Sequence, residues 1–217
     1  MEIKLHFDYK HPTLPSVAFS SDWIHEDVSL KMIQDLEKTG RMKELKIEDD
    51  MGQTWTLKEY KKLLTKEEDQ IKDVQLYFDG SFNPVSQMAG TGIVLTYTEG
   101  KKKFRMRENL LLSHLHSNNE SEYAALYRGI QLCAELGVTH QRIKLFGDSL
   151  VVINQLNGEW PCYEKELNKW MDKIEALMAK LAVQPDFTAI RRNDNKEADK
   201  LAAQALEGSV IKSKTEI

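Results

Sequence analysis

The stretch Val74-Gln75-Leu76-Tyr77-Phe78-Asp79-Gly80-Ser81 decides how the rest of the chain is read. Its apolar residues predict a buried strand, Val74–Asp79, that ends on an acid before the breakers Gly80 and Ser81. Downstream, Gly90–Tyr97 and Lys101–Leu110 predict a hairpin around Glu99-Gly100. Glu120–Leu136 has the pattern of a long amphipathic helix stopped by Gly137. Ile143–Phe146 is an apolar strand, and a helix from Ser149 to Leu156 follows it. A second long helix spans Tyr163–Leu181, Phe187–Ile190 is expected as the last strand and Lys196–Leu206 as the last helix. Three hairpin-linked strands followed by alternating helices and strands predict an α/β domain, a mixed five-stranded sheet with helices packed on it.

Upstream the pattern is different. Ile3–Phe7 alternates as a strand, and Val17–Phe19 is its expected partner across His11-Pro12-Thr13-Leu14-Pro15. Asp27 or Ser29 is the expected cap of a helix through Lys38 that buries Leu30, Ile33 and Leu36 and ends at Gly40. Met42–Ile47 and Thr54-Trp55-Thr56 read as extended and Leu57–Leu64 as helical, with Trp55 as a core anchor. The charged run Thr65-Lys66-Glu67-Glu68-Asp69-Gln70 has nothing to bury and marks the expected boundary. The organisation expected is a small α+β domain over 1–66, an α/β domain over 73–207 and a frayed polar tail over 208–217.

Composition narrows the function classes. A hydrophobic fraction of 41% and a charged fraction of 29% are those of a globular protein. The formal net charge is −4. Up to Lys72 there are 12 basic and 15 acidic residues, a balance of −3; beyond it there are 18 and 19, a balance of −1. Tight binding of nucleic acid by overall charge is therefore excluded, and such a role must rest on a local patch or on metal ions. Two cysteines, Cys133 and Cys162, make no disulfide framework, and Cys133 falls among apolar helix residues. No apolar run reaches the ~18 residues of a membrane span, and the N-terminus lacks a signal-peptide core. A soluble cytoplasmic protein without a membrane partner is expected, which makes the sequon Asn119-Glu120-Ser121 accidental.

Four carboxylates stand where chemistry can be built. Asp79 and Asp148 each end a buried strand, Glu122 begins a helix after Ser117-Asn118-Asn119, and Asp199 lies early in the last helix. Two strand ends and two helix starts can converge at one edge of an α/β sheet, where ligand sites form. Singly, each has a plain structural use: a turn or N-cap Asp, a first-turn Glu facing the helix dipole, a solvated Asp between lysines. Crowded together, the four would repel one another and raise their pKa values unless cations compensate. An all-oxygen set suits Mg²⁺ or Mn²⁺, and two such ions about 3.5–4 Å apart can activate water and stabilise a leaving oxygen.

The local sequences around these acids resemble one family in order and spacing. Phe78-Asp79-Gly80-Ser81, Ser117-Asn118-Asn119-Glu120-Ser121-Glu122-Tyr123, Gly147-Asp148-Ser149 and Arg192-x-x-Asn195-x-x-Ala198-Asp199-x-Leu201-Ala202 are similar to type 1 ribonuclease H, over residues 73–207. The resemblance implies a ribonuclease H-like sheet with helices on both faces, and hydrolysis of the RNA strand of an RNA–DNA hybrid to 5′-phosphate and 3′-hydroxyl ends. It implies Asp79 bridging two Mg²⁺ or Mn²⁺ ions, Asp199 completing the ion that activates water, and Glu122 with Asp148 holding the other. Asn118, Asn119 and Glu122 would face the minor groove and its 2′-hydroxyls, with Asn119 equally suited to cap the helix. Gly80, Ser81, Arg192 and Asn195 would complete the nucleic-acid contacts.

The chain also departs from that pattern. Ala189-Ile190-Arg191-Arg192-Asn193-Asp194-Asn195 has no histidine loop, and the segment after Trp160 is no basic handle. These features are similar to the shorter subgroup, for which weak hybrid affinity and modest turnover are expected. In the basic hairpin Lys101-Lys102-Lys103-Phe104-Arg105-x-Arg107, alternation puts Lys103, Arg105 and Arg107 on one face, to track DNA phosphates or to protect a sheet edge. Two alternatives to the hybrid nuclease stand beside it: a weak or inactive module with a binding or regulatory role, and another phosphodiesterase of the same fold, such as a DNA resolvase or exonuclease. The net-acidic N-terminal domain carries no motif tied to chemistry, and its expected role is protein docking or self-association.

Overall fold

Two units follow one another along the chain, Met1–Asp69 and Gln70–Ile217. The computed structural model describes residues 1–68 and 70–217, residues 65–68 by backbone alone, so of the boundary expected across Thr65–Gln70 only Asp69 lies outside what is described.

In the first unit β1 (Glu2–Tyr9) pairs antiparallel with β2 (Val17–Ser20), β3 (Ile24–His25) and β4 (Met42–Asp49), and β4 pairs with β5 (Thr54–Trp55). Alternation turns Ile3 and Leu5 inward, where they pack with Ile47, with Ile33 of α1 (Glu26–Lys38) and with Tyr60 of α2 (Leu57–Glu68). Neither expected residue caps α1. His25 does so, accepting from the Asp27 N–H, while Ser29 is buried a turn later against the Tyr60 hydroxyl, 2.8 Å away. Trp55 packs at the margin of this core and donates its ring N–H to Asp49 (2.9 Å).

The second unit begins with the antiparallel meander β6 (Ile71–Asn83), β7 (Met88–Glu99) and β8 (Lys102–Ser113). Then come α3 (Asn118–Glu135), β9 (Arg142–Gly147), α4 (Leu150–Leu156), α5 (Lys165–Leu181), β10 (Gln184–Ala189), α6 (Lys196–Leu206) and β11 (Lys212–Glu216). The sheet order is β10-β9-β6-β7-β8-β11, with β9 parallel to β6 and β10 parallel to β9. Helices cover both faces. Leu76, Phe78, Ile93 and Leu95 pack with Leu126 and Ile130 of α3 on one side, while Val94 meets Ala198 and Leu201 of α6 on the other. Cys133 belongs to the first of these cores, and burial pushes its thiol up to about 12.

Two expectations need correction. The segment expected as a tail supplies a sixth strand, β11, antiparallel to β8. Its side chains are polar and mostly exposed, so hydrophobic periodicity gives no sign of it; the unpaired edge of β8 creates the strand. By the same pairing β8 is an inner strand, and edge protection cannot explain its lysines. Among the described residues no helix is long and apolar enough to cross a membrane.

Candidate active site where two parallel strands part

Parallel pairing between β6 and β9 stops at Tyr77 opposite Phe146. Two residues further along each strand's direction stand Asp79 and Asp148. The two acids therefore face each other across a crevice at the carboxyl ends of parallel strands, the usual place for a site in an α/β sheet. Asp79 itself lies within β6, which continues to Asn83 along β7 rather than ending at the acid.

Helix α3 delivers the third carboxylate. Ser117 caps it, its Oγ accepting from the Glu120 N–H (3.1 Å), and Glu120 reaches back to accept from the His116 N–H (2.7 Å). Trp170 of α5 donates to the other oxygen of Glu120 (3.1 Å). Glu120 thus holds the helix start, a role for which the spacing Ser117-x-x-Glu120 is the sequence signal, and Glu122 lies one turn deeper than expected. Gly80 lets that turn approach. A Cβ there would fall 2.3 Å from the Glu122 backbone nitrogen, so a larger residue would push α3 off β6.

One ligand oxygen from each of Asp79, Glu122 and Asp148 lies within 4.8 Å of the others. Asp199, on α6, stands outside that trio and is held by Arg192, whose Nη2 and Nε donate to one of its oxygens at 2.6 and 3.2 Å. Asp199 and Arg192 still line the same cavity of about 440 Å³ as the three acids, with Gly80, Ser81 and Asn118 at its wall. Ser149, quoted in the Gly147-Asp148-Ser149 motif, also lines it, as does Ala203, which nothing in its local sequence singled out.

Two expected contacts fall elsewhere. Asn119 is not among the cavity residues, and it does not cap the helix, since Ser117 does. Asn195 is only 1% exposed and donates to the Phe78 carbonyl (3.0 Å), tying the start of α6 to β6 beneath the site. Its amide nitrogen thus has a positioning role, and Asn195 lines a different cavity from the carboxylate crevice.

Burial, then the charges of Asp148 and Asp199, push Asp79 up to about 7 against the opposing pull of Arg192. Burial, followed by the Asp79 and Asp148 charges, raises Glu122 well above the ordinary carboxylate range. The buried Oε2 of Glu122 has no hydrogen-bond partner. Oxygen donors this close, with Asp79 and Glu122 pushed towards the neutral form for want of a counter-charge and one oxygen left unpaired, fit a hard divalent cation.

Comparison with known proteins agrees with this architecture. The reverse transcriptase-like family matches residues 77–205, more than half of the chain. The uncharacterized protein YpeP of Bacillus subtilis (strain 168) is 42% identical over 218 residues, covering 100% of this chain and 96% of that protein. Ribonuclease HI of Halobacterium salinarum is 29% identical over 134 residues; the match covers 62% of this chain and 64% of that relative. The crystal structure of RNase H1 from Halobacterium salinarum NRC-1 superposes with a TM-score of 0.55 at 28% identity, over 63% of this chain and 98% of that one. LC11-RNase H1, solved in complex with an RNA/DNA hybrid, gives 0.56 at 23% identity over 63% and 98%, a likeness of fold. With a ribonuclease H fold whose matched span takes in all four acids, this chain belongs to the reverse transcriptase-like family.

Proposed function

We propose that this chain is a metal-dependent endonuclease that hydrolyses the RNA strand of RNA–DNA hybrids. The observation that carries the reading is the trio Asp79, Glu122 and Asp148, with oxygens within 4.8 Å of one another in a polar crevice. Asp79, Glu122, Asp148 and Asp199 would hold two Mg²⁺ or Mn²⁺ ions. When bound, such ions supply Lewis acidity at a phosphodiester and lower the pKa of its attacking water. In the hydrolysis water's oxygen bonds to phosphorus, the P–O3′ bond breaks, and 5′-phosphate and 3′-hydroxyl ends result.

The protein's own groups orient the strand. Asn118 accepts from the Phe82 N–H (3.2 Å), which steadies its amide at the rim beside Gly80 and Ser81, within reach of a 2′-hydroxyl. Arg192, its side chain 80% exposed, is the cation that meets the scissile phosphate once it leaves Asp199. That ion pair also favours a second reading, a weak or inactive binding module, because it withholds Asp199 from the cluster.

The two readings separate in one assay. Labelled RNA–DNA hybrid is incubated with Mg²⁺ or Mn²⁺ and either the wild type or Asp148→Asn. RNA-strand cleavage that needs metal and disappears in the variant is expected. A folded wild type inert with both metals would overturn the nuclease reading, and cleavage of a DNA strand instead would point to the resolvase or exonuclease class.

A further inference from the structure

The cations of the β8 hairpin have no part in the carboxylate crevice. Strand register places Lys103, Arg105 and Arg107 in rows with Thr98, Thr96 and Val94 of β7, and these rows continue to Gln75 and Tyr77 of β6. Across the parallel pair, Gln75 stands opposite Lys144 and Tyr77 opposite Phe146, and the latter two rings stack with centroids 4.7 Å apart. Helix α6 packs on this face beside its Asp79 end, and Glu197 at its start reaches Arg105 and Arg107 at 3.5 and 3.7 Å. Beyond α6 the face stays open.

A cavity of about 320 Å³ lies there, lined by Tyr77, Val94, Thr96, Arg105, Asn195 and Glu197 among others. Two of its lining residues carry buried polar atoms without a partner: Oδ1 of Asn195, an acceptor, and Nε of Arg105, a donor. Such atoms are destabilising to leave unpaired, and together they ask for a ligand edge that offers both a donor and an acceptor. The surrounding charge favours an anion. Lys103, Arg105, Arg107, Arg142 and Lys144 share the face with Asp73, Asp186, Asp194 and Glu197, a positive balance within a unit whose 19 basic and 19 acidic residues cancel. Lys103, Arg142 and Lys144 are exposed, with no acidic partner among the described residues.

The geometry points to a second nucleic-acid site on this face, which takes one unpaired nucleotide of a single strand. A base offers a donor and an acceptor on one edge for Arg105 and Asn195 and a flat ring to lie against Tyr77, and its flanking phosphates meet Lys103 on one side and Lys144 on the other. Aromatic and basic groups combined on an open surface bind single strands without reading sequence. Of these residues only Asn195 also serves the crevice, by tying α6 to β6; the site would hold a single-stranded extension of a substrate or a released strand.

The test is fluorescence anisotropy with a short labelled oligodeoxythymidine, at low salt and in EDTA so that the carboxylate cluster holds no metal. The wild type is expected to bind, and Lys103→Glu/Lys144→Glu to bind at least about tenfold more weakly. Equal affinities, or no binding by the wild type, would overturn the proposal and leave the nuclease reading untouched. Amide NMR on the same complex locates the strand independently of any substitution. The Asn195 side-chain amide and the Thr96 backbone should shift; changes confined to the first unit or to the carboxylate crevice would overturn the site.

Discussion

Asp79 carries much of the electrostatic strain of the crevice. Its carboxyl keeps its proton to about 7 in the folded protein, whereas the ordinary value is 3.8. Between those two pH values the unfolded state binds fewer protons, so the contribution of Asp79 to stability falls as pH rises and levels off above about 7. Asp79→Asn should therefore stabilise the metal-free protein above pH 7 by on the order of a few kcal/mol, at about 1.4 kcal/mol per pKa unit, with the gain vanishing near pH 4. Urea midpoints in EDTA at both pH values check this, and an equal gain at the two would refute the assignment. Divalent metal should do for the wild type what the substitution does without it, raising its melting temperature. Arg192 acts in the opposite sense, since its charge occupies the place of a cation at Asp199. Arg192→Ala is expected to tighten Mn²⁺ binding severalfold by calorimetry while raising KM for the hybrid; unchanged metal affinity would mean the ion pair has no hold on the cluster.

Among the elements, α3 and α6 position the acids, and each is admitted by a glycine in the meander. Gly92 pairs with Asp79 and lies under α6, where a Cβ would fall 2.0 Å from the Ala198 carbonyl; Gly80, on the other face, lies under α3. Gly80→Ala should destabilise the fold by about 1–3 kcal/mol, the usual range for overpacking, and weaken metal binding as well because the displaced turn carries Glu122. Denaturation and metal titration of the same variant check both effects, and loss of stability alone would show that α3 recovers its place when metal binds. The bounds of α6 were legible in the sequence, since Lys196–Leu206 shows a clear apolar stripe between a polar start and Gly208. Those of α3 were less so. Its start is set by Ser117 and Glu120, and it is buried on most sides, against the sheet and against α5, so its periodicity is weak.

For the whole molecule, the strand after α6 closes the sheet. Asn109 of β8 exchanges backbone and side-chain hydrogen bonds with Ile211, and its amide also donates to the Ser209 and Leu201 carbonyls. Lys212 adds a salt bridge to buried Glu108 at 3.0 Å. Truncation after Gly208 removes most of these partners, leaves Asn109 incompletely satisfied and exposes an edge of β8. A loss of about 2–4 kcal/mol follows from several net hydrogen bonds of about 1 kcal/mol each, together with a tendency to associate through the bare edge. Thermal unfolding and light scattering test the two effects; a truncated chain as stable and as monodisperse as the full one would show that β11 is an ornament of the sheet.

The sequence alone determined the α/β alternation and the meander, because buried strands and amphipathic helices write their period into the chain, and its local motifs pointed to four acids as candidates. It also placed Cys133 in a core and α6 between its true ends. Tertiary structure decided the rest. Whether Lys212–Glu216 is tail or strand depends on an unpaired neighbour more than a hundred residues earlier in the chain, which no local pattern records. Asn195 lies in a motif yet stands beneath the crevice and lines another cavity, while Asp199 shares the crevice and is held by Arg192. Burial and ion pairing are properties of what surrounds a residue, and those surroundings exist only once β6, β9, α3 and α6 have come together.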